Sequence, residues 1–491
     1  MRPSRRHFLQ SSLASLLALA PRPTAGEAAP TQPSKLSPFL QGNFAPVREE
    51  VTADDLTVVG KLPDGLDGMF VRNGPNPQFA PRGAYHWFDG DGMLHGVRLR
   101  GGKASYRNRY VRTAGFDEEK KAGKALYEGL MGLPDFVKIA QGEPGYKNAA
   151  NTALVWYNGQ LLALWEGGPP HAIKVPDLDT VGVQTFDGQL KHAFTAHPKI
   201  DAASGEMAFF GYGAAKPYVR YSVLDKAGKL LHTTGLDLPR PVMMHDFAVT
   251  ERYAVFLDLP EVFAFDAVLR GESLLKFDPS LGARVGILPR KAAGKEVRWF
   301  PVKPCFVFHT LNAWEAGDEV VLVGCRMKEF PAALDSTPQQ GVARDSQSVL
   351  YRWAFDLKTG AVKEGPLHDA GCDFPRVDDR LLGRKARYGY AMKLAMDGFL
   401  KYDLEKGTHE EHAHGKGRFG GEGVFVPRPD AKAEDDGWLL TFVHDEGADK
   451  SELVVVDART FDKPPVARVV LPGRVPYGFH GTWLADAHLR G

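Results

Sequence analysis

Cysteine is scarce: the 491 residues include only Cys305, Cys325 and Cys372. So small and odd a number excludes a disulfide framework, and all three read as buried apolar residues. An excess of either charge is also missing, since 61 Lys and Arg stand against 60 Asp and Glu. Without a basic surplus to release counterions from a phosphate backbone, nucleic acid is not an expected partner. No apolar run is long enough to span a bilayer. Segments with helical period are few, and no Pro/Ser-rich linker interrupts the chain after residue 40. With 43% hydrophobic and 25% charged residues, the composition is that of a globular protein, which excludes disorder, collagen and a membrane bundle.

The N-terminus does carry a signal. Ser4-Arg5-Arg6-His7-Phe8 precedes a weakly apolar run over 11–20, followed by Pro21-Arg22-Pro23 and small residues. Paired arginines before a weak apolar region resemble a twin-arginine secretion signal, expected over 1–28 with cleavage after Ala20 or Ala28. That route carries folded proteins, so a metal could be loaded before export, and a periplasmic location is expected. Residues 29–40 read as an unstructured linker, and 41–491 as one domain.

Beyond residue 35 short β runs alternate with turn dipeptides. The stretch ALVWYNGQLLALWE (153–166) is the clearest, two apolar runs flanking Asn158-Gly159, which suits a type I′ hairpin. Similar hairpins read around Asp187-Gly188, Ala227-Gly228, Thr359-Gly360 and Asp436-Gly437. Helices are expected only over 117–136 and 261–275. Many hairpins without a linker predict an all-β chain, a seven-bladed β-propeller of about 65 residues per blade, with loop and helix excursions forming a dome over one face. Two packed sandwiches are the structural alternative.

Histidine is plentiful, at 16. His409, His412 and His414 lie in the charged stretch THEEHAHGKG and read as a solvated loop, with capture of a metal there resting on composition alone. His197, His245, His309 and His480 lie instead among apolar or aromatic residues, where a neutral imidazole must find a partner or bear a desolvation cost. Their gaps of 48, 64 and 171 residues approximate one, one and three blade lengths. Residues recurring once per blade converge on a propeller axis. Four neutral imidazoles there suit a first-row divalent ion such as iron and leave two of six octahedral positions open. A metal-bound imidazole normally donates its other N–H to a carboxylate or carbonyl. Glu166, Asp373 and Glu422 are the acidic residues in suitably apolar or Gly-rich surroundings.

The motifs NGPNPQF (73–79), YHWFDGDGMLH (85–95), LLALWEGGPPH (161–171), HPKID (197–201), MHDFAVT (244–250), FDPSLGARVGILPR (277–290), FHTLNAWE (308–315) and GFHGTW (478–483) resemble the carotenoid cleavage oxygenases. The likeness covers nearly all of the chain beyond the signal, in the family's order. It implies a seven-bladed propeller with Fe(II) on the axis, held by His197, His245, His309 and His480. Glu166, Asp373 and Glu422 would stand behind three ligands, leaving His197 without such a partner. The implied reaction uses O₂ to split a conjugated C=C bond into two carbonyls, with the alkene in an apolar tunnel and no acid, base or nucleophile from the protein.

Trp165 and Phe308 read as tunnel walls. Stilbene-cleaving members carry Lys just before the first carboxylate, where Trp165 stands here. An indole favours a polyene over a phenolate, so a carotenoid or apocarotenoid is expected, with a stilbene phenol as the alternative if Lys147 replaces the missing cation. A propeller serving only as a binding module is the third reading. A monomer is expected, with 262–275 as a greasy tunnel mouth touching membranes. The family usually has Glu where Asp373 stands. The shorter chain loses roughly 1.3 to 1.5 Å of reach, and inward movement of the backbone, eased by Gly371, is expected to restore contact with His309. Glu166 would then serve His245, and Glu422 His480.

Overall fold

The computed structural model describes residues 37–83, 85–129, 145–213, 215–264, 267, 274–329 and 347–490. The signal expected over 1–28 lies outside them. Residues 38–40, expected as linker, form a short 3-10 turn that buries Phe39 against Phe44, Met392, Met396 and Tyr477, so the packed chain begins before residue 41.

Antiparallel strands form seven blades. The first joins Thr52–Ala53, Gly68–Pro75, Gly92–Arg100, Lys103–Tyr110 and the C-terminal strand Gly481–Ala485. Blades two, three and four run from Ala153–Tyr157 to Asp179–Val183, from Lys199–Ile200 to Leu230–Leu236, and from Ala248–Val249 to Arg298–Val302. Blades five and six are fused by one 15-residue strand, Val362–Arg376. Its first part pairs with Val349–Asp356, and Cys372, Asp373 and Arg376 pair with Tyr388–Lys393. The seventh blade combines Val424–Pro427, Gly437–Asp445, Lys450–Asp457 and Ala467–Val470 with the early strand Val58–Gly60.

The core explains why these strands close a ring. Seven buried apolar clusters each span two neighbouring blades, from Met69, Val71, Leu154 and Leu161 between the first and second to Phe70, Val97, Leu440 and Val455 between the last and the first. Val58–Gly60 sits in the last blade and Gly481–Ala485 in the first, so early and late segments of the described chain cross over and close the circle. Closure covers the faces of every blade with its neighbours and leaves only short outer edges.

Local chemistry follows the sequence closely in places. Asn158 and Gly159 both have positive φ, 46° and 72°, as a type I′ turn between Ala153–Tyr157 and Gln160–Leu164 requires. Ala227-Gly228 and Thr359-Gly360 also turn hairpins, and Gly437 opens a strand after a longer connection from Pro427. Asp187-Gly188 instead turns the link between the second and third blades.

Three sequence expectations are corrected. The helix expected over 117–136 is Ala114–Ala122, capped by Thr113 and ended by Gly123 in the left-handed conformation (φ 69°); residues 130–136 lie outside the described residues. At the two ends of the helix expected over 261–275, Glu261–Phe263 pairs instead with Leu275–Phe277, and the rings of Phe263 and Phe277 pack with Met243, Phe306 and Met327; between them Ala267 is helical, and residues 265–266 and 268–273 lie outside the described residues. The THEEHAHGKG stretch is no solvated loop: Thr408–Ala413 is a strand of the sixth blade, with His412 and His414 buried and His412 Nδ1 3.1 Å from the Phe461 carbonyl. All three cysteines are buried and free, as expected.

Candidate metal centre

His197, His245 and His480 lie just ahead of strands at one end of the third, fourth and first blades, Lys199–Ile200, Ala248–Val249 and Gly481–Ala485. His309 lies inside Phe306–Ala316, the first strand of the fifth blade, where the pairing register shifts. The one, one and three blade steps expected from the gaps are therefore the steps in the ring. The four imidazoles bring a nitrogen each to within 4.8 Å of every other. His197 Nε2 and His245 Nε2 are 2.9 Å apart. Two adjacent ligands about 2.1 Å from one ion would span ~3.0 Å at a right angle, so this spacing fits a shared cation.

Carboxylates set which nitrogen faces inward. His245 Nδ1 is 2.6 Å from Glu166 Oε2, His309 Nδ1 2.7 Å from Asp373 Oδ1, and His480 Nδ1 2.9 Å from Glu422 Oε1. Each Nδ1 donates as N–H, which leaves the Nε2 lone pair directed at the centre. All three pairings are those expected. Among the described residues no carboxylate bonds to His197, whose backbone N–H donates to Thr195 Oγ1 at 3.0 Å.

Burial and its three imidazole neighbours push the His197 pKa well below the ordinary value. Burial likewise lowers His480 to about 4 against the pull of Glu422. For His245 burial also acts downward, but Glu166 outweighs it and the net shift is upward. Four nitrogen donors without a direct carboxylate suit a first-row divalent ion such as Fe(II), so the residues fit that metal.

Asp373 makes the expected contact with His309, and the irregular backbone beside it lies after Asp373 rather than at Gly371. The strand bulges between Asp373 and Arg376, and Phe374 adopts φ 53°. The Phe374 N–H donates to Asp373 Oδ1 at 2.7 Å, and its ring lies 4.8 Å from His309 and 5.0 Å from His480.

Several site residues were not anticipated from the sequence. Tyr212 donates to Glu166 Oε1 at 2.5 Å. Burial and the neighbouring carboxylate hold its phenol protonated. Arg376 Nη1 is 3.7 Å from Glu422 Oε1, and the Gly481 N–H donates to Glu422 Oε2 at 2.8 Å. Burial alone would raise the Glu422 pKa, but Arg376, His480 and this N–H lower it. Asp246, beside His245, was legible as a lone acid in MMHDFAVT; Tyr212 and Arg376 gave no comparable signal.

An open cleft is lined by Tyr85, Phe88, Glu119, Tyr146, Lys147 and Trp165 among others. Phe88 packs against Phe308 at 6.0 Å, and Phe308 lies edge-on to His245 at 5.4 Å, so two rings separate the cleft from the metal centre. Phe308 thus stands beside the centre, and Trp165 lines the cleft. Lys147 is not free to meet a phenolate: its ammonium lies 2.8 Å from Asp91 and 2.7 Å from Glu119.

The family model described as retinal pigment epithelial membrane protein matches residues 44–485. The chain is 43% identical to carotenoid 9,10(9′,10′)-cleavage dioxygenase 1 of Phaseolus vulgaris, covering 92% of this chain and 90% of that protein. It is 36% identical to a carotenoid cleavage oxygenase of Mycobacterium tuberculosis, over 94% and 99%. Among solved structures, Pseudomonas brassicacearum lignostilbene dioxygenase matches with a TM-score of 0.83 and 31% identity, over 91% of this chain and 98% of that one. Cobalt-substituted Synechocystis apocarotenoid oxygenase matches at 0.80 and 31%, over 90% and 97%. With a ring of seven blades and four histidines gathered at its centre, the chain belongs to the carotenoid cleavage oxygenase family.

Proposed function

We propose that the protein is a non-haem Fe(II) dioxygenase that uses O₂ to cleave one conjugated C=C bond of a carotenoid or apocarotenoid, giving two carbonyl products. The observation that carries this reading is the four-imidazole centre, three of whose members are oriented by carboxylates. Bound Fe(II) would supply the reduction of O₂, both of whose atoms end in the two carbonyl groups. The chain's own residues do the rest. Glu166, Asp373 and Glu422 hold Nδ1 protons and keep Nε2 directed inward. Phe308, Phe374 and Phe88 present apolar rings that exclude water and suit a flat polyene.

Stilbene cleavage is the second reading, favoured by the likeness to lignostilbene dioxygenase. Trp165 and the engagement of Lys147 by two carboxylates support a polyene instead, because neither leaves a cation for a phenolate. Iron-loaded protein under air should cleave at least one apocarotenoid faster than 4-hydroxystilbene; the reverse order would make the stilbene the substrate.

Export through a twin-arginine route to the periplasm is part of the proposal, supported by Arg5-Arg6 and the weak apolar run. Replacing both Arg5→Lys and Arg6→Lys should retain the protein in the cytoplasm, and normal export would refute it. We further infer a monomer that meets its lipophilic substrate at a membrane through 262–275. A charged substitution at Val262 that altered neither liposome binding nor turnover would argue against that contact.

A further inference from the structure

Behind the histidines lies a second group of buried polar side chains, distinct from the carboxylate–histidine pairs. Lys199, two residues after His197, places Nζ 2.7 Å from Asp246 Oδ1. Asp246 follows His245 directly, and its Oδ2 accepts the backbone N–H of Thr310 at 2.7 Å and the Thr310 hydroxyl at 2.8 Å. Thr310 in turn follows His309. The Phe247 N–H, at 2.7 Å, completes the donors around Asp246 Oδ1. Asp246 is 1% exposed and receives four donors, as many as a carboxylate has acceptor positions.

We propose that Lys199, Asp246 and Thr310 form a clasp that sets the spacing of His197, His245 and His309, three ligands from three successive blades. Its role differs from that of Glu166, Asp373 and Glu422. Those carboxylates bond to the rings and set their rotation; the clasp bonds one or two residues along the backbone from each ligand and sets where the rings begin. A saturated, charge-paired carboxylate in low dielectric has one favourable arrangement, and removing either charge leaves the other buried and unpaired. The pairing with Lys199 also keeps the clasp neutral beside a site for a dication. His480 lies outside it, because Glu422 accepts both its Nδ1–H and the adjacent Gly481 N–H. Lys199, Asp246 and Thr310 are therefore positioning residues.

This inference rests on the four histidines being a metal centre, and the experiment separates the two. Metal-free full-length protein is titrated anaerobically with Co(II), followed by visible absorption, for the wild type, Asp246→Asn, Lys199→Met, their double variant and Thr310→Val. Asp246→Asn and Lys199→Met should each weaken Co(II) binding about 10- to 100-fold, the range typical of residues supporting metal ligands. The double variant should lose no more than the worse single variant, and the absorption bands should shift as ligand spacing changes. Folded single variants with wild-type affinity and spectrum would overturn the clasp, as would losses that multiply in the double variant. If the charge variants do not fold, Thr310→Val decides: it keeps the β-branched shape and removes one hydroxyl, and unchanged affinity and bands would overturn the proposal. Failure of the wild type to bind Co(II) would overturn the metal centre itself, and the clasp with it.

Discussion

Asp373 Oδ1 lies 2.7 Å from the His309 imidazole, within hydrogen-bond reach despite its short side chain. A bulge accompanies this contact, with Phe374 in the left-handed region, a conformation that costs a bulky residue of order 1–3 kcal/mol. Asp373→Ala should therefore reduce metal affinity or turnover about 10- to 100-fold, measured by iron titration and steady-state cleavage. Asp373→Glu should be mildly harmful, since the backbone already stands close and the extra methylene crowds His309. At this scale the sequence was most legible where a polar residue interrupts apolar neighbours, as at His197, His245, His309, His480 and Glu422. It was least legible where a role depends on which strands cross. Tyr212 and Lys199 look like ordinary strand residues until Glu166 and Asp246 are brought beside them.

Gly481–Ala485 is the element in which closure of the ring and the metal centre meet. It completes the first blade by pairing with Gly68–Pro75 and begins directly after His480. Leu484 is fully buried there among Met69, Val71 and Leu154. Leu484→Ala should cost about 2–5 kcal/mol of stability, read from denaturant midpoints, and should weaken metal binding because His480 loses its anchor. Where elements were misread, the reasons are local. Gly123 ends a helix whose charged periodicity reads onward in the sequence. Glu261–Phe263 finds a partner strand in Leu275–Phe277, so both ends of the expected helix are extended. Thr408–Ala413 is polar because it is the outer strand of its blade, which leaves one face wet while His412 turns inward.

Over the whole molecule, hairpin spacing made an all-β chain legible but left two packed sandwiches open; the seven interblade clusters show the ring, each blade burying its faces against a neighbour on either side. Burial also gives the metal-free protein a pH dependence. His86 and His171 are lowered by burial to about 4, and His414 to about 3, from 6.5. These groups stay neutral in the fold, so their contribution is present above pH 6.5 and is lost as pH falls toward 4. Glu261 is raised by burial to about 8 from 4.5 and stays protonated in the fold. Its contribution is present below pH 4.5 and is lost as pH rises toward 8. Each such proton changes stability by at most ~1.4 kcal/mol per pH unit. Urea midpoints should therefore peak near pH 6.5, and Glu261→Gln should flatten the alkaline side.

The central claim, that these four imidazoles together hold one catalytic iron, is tested most directly by anaerobic Fe(II) titration of the wild type beside His309→Ala and His412→Ala. One Fe(II) per chain is expected for the wild type and for His412→Ala, whose imidazole is buried in the sixth blade outside the four-histidine cluster. His309→Ala should lose most of that iron. Wild-type iron content in His309→Ala, or none in the wild type, would contradict the account.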